Sequence, residues 1–273
     1  RLVHEGYFNG GGADVPVRTY SITKSLTSVL VSMAVADGDL AFDDPASEQV
    51  DEWRDGPAAD VTVRDLLAQV SGREWSEATD RQLIRGVADQ TAYAIGLRQV
   101  APPGEWVYDN AAPQVLERVL AEAATDDGDV VALAQRRLLD PLGMDATTWP
   151  RDVAGHATTY SGVTSTCRDL ARVGRLMLAD GRWRDEELLP ADLVAEATKP
   201  ATEQNAAYGQ LWWTNAEGRV VEARRQAGFA QDVAPYEGRL APDVPADAFR
   251  AFGYGNQYVA VVPSRDVVAV RLG

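Results

Sequence analysis

Tyr20-Ser21-Ile22-Thr23-Lys24-Ser25-Leu26 opens the apolar run on which the reading of the whole chain turns. From Ile22 onward, apolar residues recur at Leu26, Val29, Leu30, Met33 and Ala34, the spacing of a buried helix face. Gly38 supplies the stop, because glycine takes the left-handed conformation that commonly ends helices. With the helix starting near Ser21, that serine sits in its first turn and Lys24 lies one turn on, on the same side. Residues three apart on a helix are neighbours, at about 5–6 Å between Cβ atoms. Burial penalises an ammonium, so an amine carried on such a helix is pushed toward its neutral form. A neutral amine beside a hydroxyl can take its proton and turn a weak nucleophile into a strong one. The N–H groups of the first turn also point at whatever negative charge develops there. The bland alternative is a first-turn serine and a solvated lysine. Against it, Lys24 and Lys199 are the only lysines in a chain rich in arginine. A Lys where Arg is otherwise preferred suggests a group that must lose its proton, which Arg cannot do.

The bulk numbers bound the rest. At 273 residues, 45% hydrophobic and 25% charged, the chain has the composition of a soluble globular protein with ample core. It holds no uninterrupted apolar run of about 18 residues, so no membrane-spanning helix is expected. Cys167 is alone, which excludes an internal disulfide and a cysteine-rich metal site. A net charge of −15 makes nucleic acid and anionic membranes poor partners. The chain begins without Met or a signal peptide and in an apparent strand, so it reads as a trimmed chain. A soluble protein is expected, with the cytoplasm ahead of other compartments and the oligomeric state open.

Residues 1–8 and 15–19 read as short strands joined by the turn-rich Asn9-Gly10-Gly11-Gly12-Ala13-Asp14. Residues 61–69 read as a helix capped by Thr62 and ended by Ser71-Gly72, and 112–124 and 129–139 as further helices. Thr166 with Asp169 three residues later resembles a capping box before the apolar helix 170–178. After it, 208–214, 256–262 and 267–272 are rich in aromatic and β-branched residues and read as strands. Residues 219–222 read as a minor strand before a loop-rich stretch ending at Pro245. Strands at both ends around a helical middle predict an α+β fold with an antiparallel sheet built from both chain ends. On that plan 1–44 and 206–273 form a sheet lobe and 45–205 a helical lobe, as one unit with the active site between them.

Two further stretches carry chemistry. In Pro102-Pro103-Gly104-Glu105-Trp106-Val107-Tyr108-Asp109-Asn110, a rigid loop can hold a Tyr and an Asn at a site. A phenol can shuttle a proton if a nearby cation lowers its pKa. Read alone, the stretch more readily makes Tyr108 a half-buried aromatic and Asn110 a cap for the helix that follows. In Ala251-Phe252-Gly253-Tyr254-Gly255-Asn256-Gln257, glycines at a strand edge permit close approach of a substrate or an oxyanion, or simply make a tight turn.

Taken together and in this order, the three stretches resemble the serine β-lactamase and DD-peptidase superfamily. They are most similar to its class C β-lactamase-like esterases and amidases, a group that includes the 6-aminohexanoate-dimer hydrolases. Ser21-Ile22-Thr23-Lys24 matches Ser-x-x-Lys, Tyr108-Asp109-Asn110 matches Tyr-x-Asn, and Gly253-Tyr254-Gly255 falls where the third motif lies. Lesser matches are Leu66-Leu67-Ala68-Gln69-Val70-Ser71-Gly72, Gly162 to Ala171, and Tyr208-Gly209-Gln210-Leu211-Trp212-Trp213. The resemblance implies Ser21 as the acylated nucleophile, Lys24 as its proton acceptor and Tyr108 as a relay to the leaving group. It implies Asn110 as a tie between the Tyr108 loop, Lys24 and the substrate. The backbone N–H groups of Ser21 and Tyr254 would form the oxyanion hole, with Gly253 and Gly255 beside the substrate. No cofactor and no metal are implied.

Two departures matter. The third motif of β-lactamases and DD-peptidases begins with Lys or His, whereas Ala251-Phe252-Gly253 stands here, which points toward small esters or amides rather than β-lactams. The family's helices before the first strand and after the last are absent from this stretch of chain. A true β-lactamase or D-amino-acid peptidase remains an alternative, and so does a non-catalytic binding or sensor module with the same fold. The α/β-hydrolase reading fails because only His4 and His156 are present and no Gly-x-Ser-x-Gly elbow exists. A hydrolytic metal site lacks His-Glu-x-x-His and any clustered ligands. The pocket is expected to be lined by Trp75, Trp149, Trp212 and Tyr254, which would suit a modest apolar group.

Overall fold

The computed structural model of the chain describes residues 1–223 and 234–273. Along it run β1 (Val17–Arg18), α1 (Ile22–Asp37), α2 (Val63–Ala68), α3 (Glu77–Arg85), α4 (Gln90–Gly96), α5 (Ala111–Ala124), α6 (Val130–Ala134) and α7 (Asp140–Leu142). Then follow β2 (Thr164–Ser165), α8 (Cys167–Leu178), β3 (Arg182–Trp183), β4 (Glu186–Glu187), α9 (Ala191–Thr198) and β5 (Trp213–Thr214). The last elements are β6 (Gly218–Val220), β7 (Tyr236–Gly238), β8 (Phe249–Gly253), β9 (Gln257–Val262) and β10 (Val267–Arg271). The loop-rich stretch expected after Glu222 contains 224–233, which lie outside the described residues.

The fold is α+β, as the patterning predicts, with an antiparallel sheet in the order β10-β9-β8-β5. Its source differs from the expectation. The sheet comes from the C-terminal part alone, and β1 pairs instead with β2 through Val17↔Ser165 and Arg18↔Thr164. Residues 1–8 are in no strand, and Leu2, Val3 and Phe8 are exposed. Their alternation suits a strand, but a strand needs a ladder partner, and this segment is tied down mainly by Glu5, which pairs with Arg168 at 2.7 Å. The 208–214 strand shrinks to Trp213–Thr214. Leu211 has φ 59°, and its N–H donates to Leu67 O while its carbonyl accepts from Ser25 Oγ. Bonds to α2 and α1 therefore replace a ladder there.

β8 and β9 alternate buried and half-buried residues, with Phe249, Ala251, Val259 and Val261 on the buried face. α1 lies against these strands and α8 against β9 and β10. Gly174 makes the second contact possible, since a Cβ there would lie 2.5 Å from Val268 Cγ1. α8 thus lies with the sheet, although the sequence places it in the 45–205 segment. Ile22, Leu26, Val29, Leu30 and Met33 are buried in a core that continues through α2, α5 and α8.

The helix ends follow their sequence signals. Gly38 closes α1 at φ 82° and donates to Val35 O. Thr62 and Asp65 cap α2 reciprocally, and the helix ends at Gln69 in the left-handed region, before Ser71-Gly72. Thr166 accepts from Asp169 N–H, but the Asp169 carboxylate reaches Thr147 and Arg172 instead of returning to the cap.

Candidate active site

Ser21 stands at the N-cap of α1, and Tyr20 before it has φ 52°. A bulky residue in the left-handed region costs about 1–3 kcal/mol and persists only where its surroundings impose it. Here Thr19 N–H donates to Val163 O at 2.8 Å, and Thr23 Oγ donates to Tyr20 O at 2.7 Å. The Ser21 hydroxyl makes no capping bond within the helix, which leaves it to other partners.

Lys24 is 1% exposed. Its Nζ lies 3.4 Å from Ser21 Oγ, 2.5 Å from Asn110 Oδ1 and 3.1 Å from the Tyr160 carbonyl oxygen. The rings of Tyr108 and Tyr160 flank it, with centroids 4.9 and 5.6 Å away. Burial pushes the amine down to about 8, against an opposing pull from Asp80 and Asp109.

The loop carrying Tyr108 and Asn110 is fixed to the end of α2. Val107 N–H donates to Gln69 O at 2.9 Å, Gly104 N–H to Val70 O at 2.8 Å, and Asp109 N–H to Gln69 Oε1 at 2.6 Å. Gly72 is required beneath it, since a Cβ there would lie 2.2 Å from Ala101 O. Asp109, not Asn110, caps α5, accepting from Ala112 N–H at 2.6 Å. The Asn110 side chain is thereby released toward Lys24.

Tyr108 is hydrogen-bonded to Ser21 and packs against Trp106, Tyr208 and Trp213. The condition that a neighbouring cation lower the Tyr108 pKa is not met. Burial holds Tyr108 above the usual phenol range, the Ser21 hydrogen bond offsets this only partly, and Asp80 and Asp109 add to the rise. Tyr108 is a neutral phenol at working pH, able to pass a proton only while receiving another. Asp109 is itself pushed up to about 7 by burial.

The third stretch reaches the first through Gly253. A Cβ on it would lie 2.3 Å from Thr19 O, so the β8 end touches the backbone two residues before Ser21. Tyr254, 55% exposed, meets the Tyr20 ring edge-on at 5.4 Å. Gly255 and Asn256 have φ 78° and 60° at the tip of the β8–β9 hairpin, so Gly255 is also demanded by the turn. Gly253→Ala is expected to destabilise the protein by about 2 kcal/mol, because backbone faces the added methyl and no side chain can yield. Thermal melting checks it, and an unchanged melting temperature would mean that the two segments are not held this close.

The aromatic walls are fewer than expected. Trp149 and Trp212 are buried core residues, Trp149 donating to Thr158 O at 3.0 Å and Trp212 packing on Phe249. Trp75 is half-buried, leaving Trp75 and Tyr254 of the four near solvent.

Two contributors carry no sequence signal. The Tyr160 carbonyl is one, since a backbone oxygen has no residue type to betray it. Asp80 is the other, a carboxylate on α3 that accepts from Asn110 Nδ2 at 3.1 Å and Asn110 N–H at 3.3 Å. The structure also gathers Asp89, Asp152 and His156, with donor atoms within 4.8 Å of one another, although no ligand spacing marks them in the sequence. Their carboxylates accept from backbone N–H groups of Gln90, Ala92 and His156. That use ties the 150–157 loop to the start of α4.

Known proteins share this architecture. A model of the family described as Beta-lactamase matches residues 3–272. An uncharacterised protein of Alkalihalophilus pseudofirmus is 20% identical over 264 residues, which are 94% of this chain and 73% of that protein. A 6-aminohexanoate-dimer hydrolase-like structure from Bacillus anthracis superposes with a TM-score of 0.78 at 19% identity, covering 99% of this chain and 70% of that one. The D-alanine carboxypeptidase AmpC from Burkholderia cenocepacia gives 0.66 at 22% identity, covering 95% and 79%. A penicillin-binding protein from Bacillus halodurans gives 0.67 at 15% identity, covering 95% and 82%. At these identities the structural likeness concerns the fold.

Proposed function

The chain belongs to the β-lactamase family, in general a family of serine hydrolases, and from that premise we propose that it hydrolyses small esters or amides through an acyl-enzyme. One observation carries the reading: a fully buried lysine amine lies within 3.4 Å of a serine hydroxyl and faces two carbonyl acceptors. A neutral amine has two N–H donors and one lone pair. With Asn110 Oδ1 and Tyr160 O taking the donors, the lone pair is left for the Ser21 proton.

Ser21 Oγ attacks the carbonyl carbon as its proton passes to Lys24 Nζ. The carbonyl π electrons move onto oxygen, where the backbone N–H groups of Ser21 and Tyr254 receive the charge. Collapse breaks the C–O or C–N bond, and the proton travels from Lys24 through the Tyr108 hydroxyl to the leaving group. Water then gives its proton to Tyr108 as Lys24 takes the Tyr108 proton, and it attacks the acyl carbon. Collapse of this second intermediate breaks the bond from the acyl carbon to Ser21 Oγ, and Lys24 returns its proton to that oxygen. Asn110, Gly253 and Gly255 border the substrate in this scheme.

The two-lobed division belongs to the same proposal, with 1–44 and 206–273 on one side and 45–205 on the other. Its support is that Ser21 and Lys24 come from α1, Gly253 from the sheet, and Tyr108 and Asn110 from the helical segment. α8 then counts with the sheet.

Hydrolysis of a short-chain p-nitrophenyl ester, a linear amide dimer of 6-aminohexanoate and a chromogenic cephalosporin tests the reading. The ester is expected to exceed the cephalosporin in kcat/KM by ~10²-fold. An ammonium to carboxylate hydrogen bond is worth about 1.5–3 kcal/mol, and no Lys or His opens the third stretch. A cephalosporin turned over best would replace this reading with a true β-lactamase. Absence of both turnover and covalent labelling would favour the non-catalytic module.

A further inference from the structure

We propose that Asp80 is a positioning residue of this centre, holding the Asn110 amide with Oδ1 toward Lys24 and supplying the negative charge that faces Lys24 across that amide. The inference rests on the serine hydrolase reading, since it concerns how Lys24 is kept able to take the Ser21 proton.

The argument begins with the two ends of an amide. One end accepts and the other donates, and the two are nearly alike in shape. While Lys24 is an ammonium, it demands the oxygen. Once it is a neutral amine, either end suits it, because its lone pair can accept from Nδ2. That second arrangement would occupy the lone pair which the Ser21 proton needs. Nothing on Lys24 itself prevents the flip at the moment when it matters.

Asp80 prevents it from the other side. An ionised carboxylate only accepts, so the Asn110 end facing it must be the donor. Its Oδ2 takes Asn110 Nδ2 at 3.1 Å and its Oδ1 takes the Asn110 backbone N–H at 3.3 Å. The second bond fixes the backbone as well as the amide, so Asn110 can neither flip nor withdraw. The charge matters too. Among the described groups, Lys24 faces Ser21 on its own helix, Asp80 on α3, Tyr108 and Asp109 ahead of α5, and Tyr160. Asp80 is the larger of the two carboxylate influences that raise the Lys24 pKa. Without it the amine would release its proton at a lower pH.

Asp80→Asn separates the two roles. The new amide keeps an acceptor for Asn110 Nδ2 but carries no charge, whereas Asp80→Ala loses both. Because Lys24 and Lys199 are the chain's only lysines, selective ¹³C labelling of lysine gives two Cε signals, assigned by Lys199→Arg. In full-length protein the Lys24 signal is expected to titrate about one pH unit lower in Asp80→Asn than in wild type, with Lys199 unmoved. Ester hydrolysis should fall no more than several-fold in Asp80→Asn, with its alkaline-rising limb displaced downward by the same amount. In Asp80→Ala it should fall ~10²-fold.

A Lys24 titration unchanged in Asp80→Asn, with native-like melting, would overturn the charge role. Full activity in Asp80→Ala would overturn the positioning role. The NMR titration does not depend on turnover. An inactive wild type with a shifted Lys24 would therefore contradict the hydrolase reading alone, and an active wild type without the shift would contradict Asp80 alone.

Discussion

Ser21→Ala is expected to abolish ester hydrolysis, lowering kcat by ~10⁴-fold or more and leaving what oriented binding and the oxyanion donors still provide. Such a loss corresponds to about 5.5 kcal/mol of transition-state stabilisation. It is far beyond what removal of one hydrogen bond accounts for, so it distinguishes a nucleophile from a substrate-binding hydroxyl. Intact mass after incubation with an acylating fluorophosphonate gives the second readout. Wild type should gain one adduct, and Ser21→Ala none. The fold should tolerate the change, because the hydroxyl caps no helix N–H and α1 is held through Thr19, Thr23 and Thr27 instead. A melting temperature within about 2 °C of wild type is expected, since a surface-accessible change outside the core is worth about half a kcal/mol. Turnover that survives in Ser21→Ala would remove Ser21 as the nucleophile, whatever the fold.

The parts of this site that could be read in advance are those whose chemistry sits in side chains at local spacing. Ser21 and Lys24 are one helical turn apart, so their approach follows once the Ile22, Leu26, Val29, Leu30, Met33 stripe defines the helix. Gly253 could be singled out because a strand-edge glycine implies a close neighbour, and Thr19 O is that neighbour. Asp80 could not, because 56 residues of chain separate it from Lys24 and only the packing of α3 beside the Asn110 loop joins them. Strand propensity failed at 208–214 for a related reason. There Gln210 N–H donates to Ala197 O of α9 and Leu211 bonds to α1 and α2, so tertiary partners outweigh local preference. The condition set for Tyr108, a nearby cation lowering its pKa, could not be judged from sequence, because burial decides it. Complete burial and two carboxylates weigh more than a cation that is itself half-inclined to be neutral.

Lys24 permits the sharpest test of the chemistry, because charge and basicity can be separated there. Lys24→Arg keeps the positive charge but cannot lose its proton, and Lys24→Met keeps most of the volume without any amine. Both are expected to lower kcat/KM by ~10³-fold or more, toward the upper range for removal of a positioned general base. On the proposed scheme the active form of the wild type is the neutral amine. Activity should therefore rise with pH through about 8, the pH at which burial places Lys24, and this limb should vanish in both variants. A rescued rate in Lys24→Arg would show that charge alone suffices and would remove proton abstraction from the scheme. Stability offers a check without substrate. The folded-state pKa of about 8 lies below the 10.5 of a free lysine, so between these values the unfolded chain binds more protons than the folded one. Folding stability must then rise with pH across that window and fall as pH drops through it. The span corresponds to about 3 kcal/mol. The stability of wild type relative to Lys24→Met should therefore increase by roughly that amount from pH 8 to 10.5, groups common to both cancelling to first order. Equal slopes for the two proteins would mean that Lys24 titrates as a solvated lysine, and a solvated lysine cannot be the base that Ser21 requires.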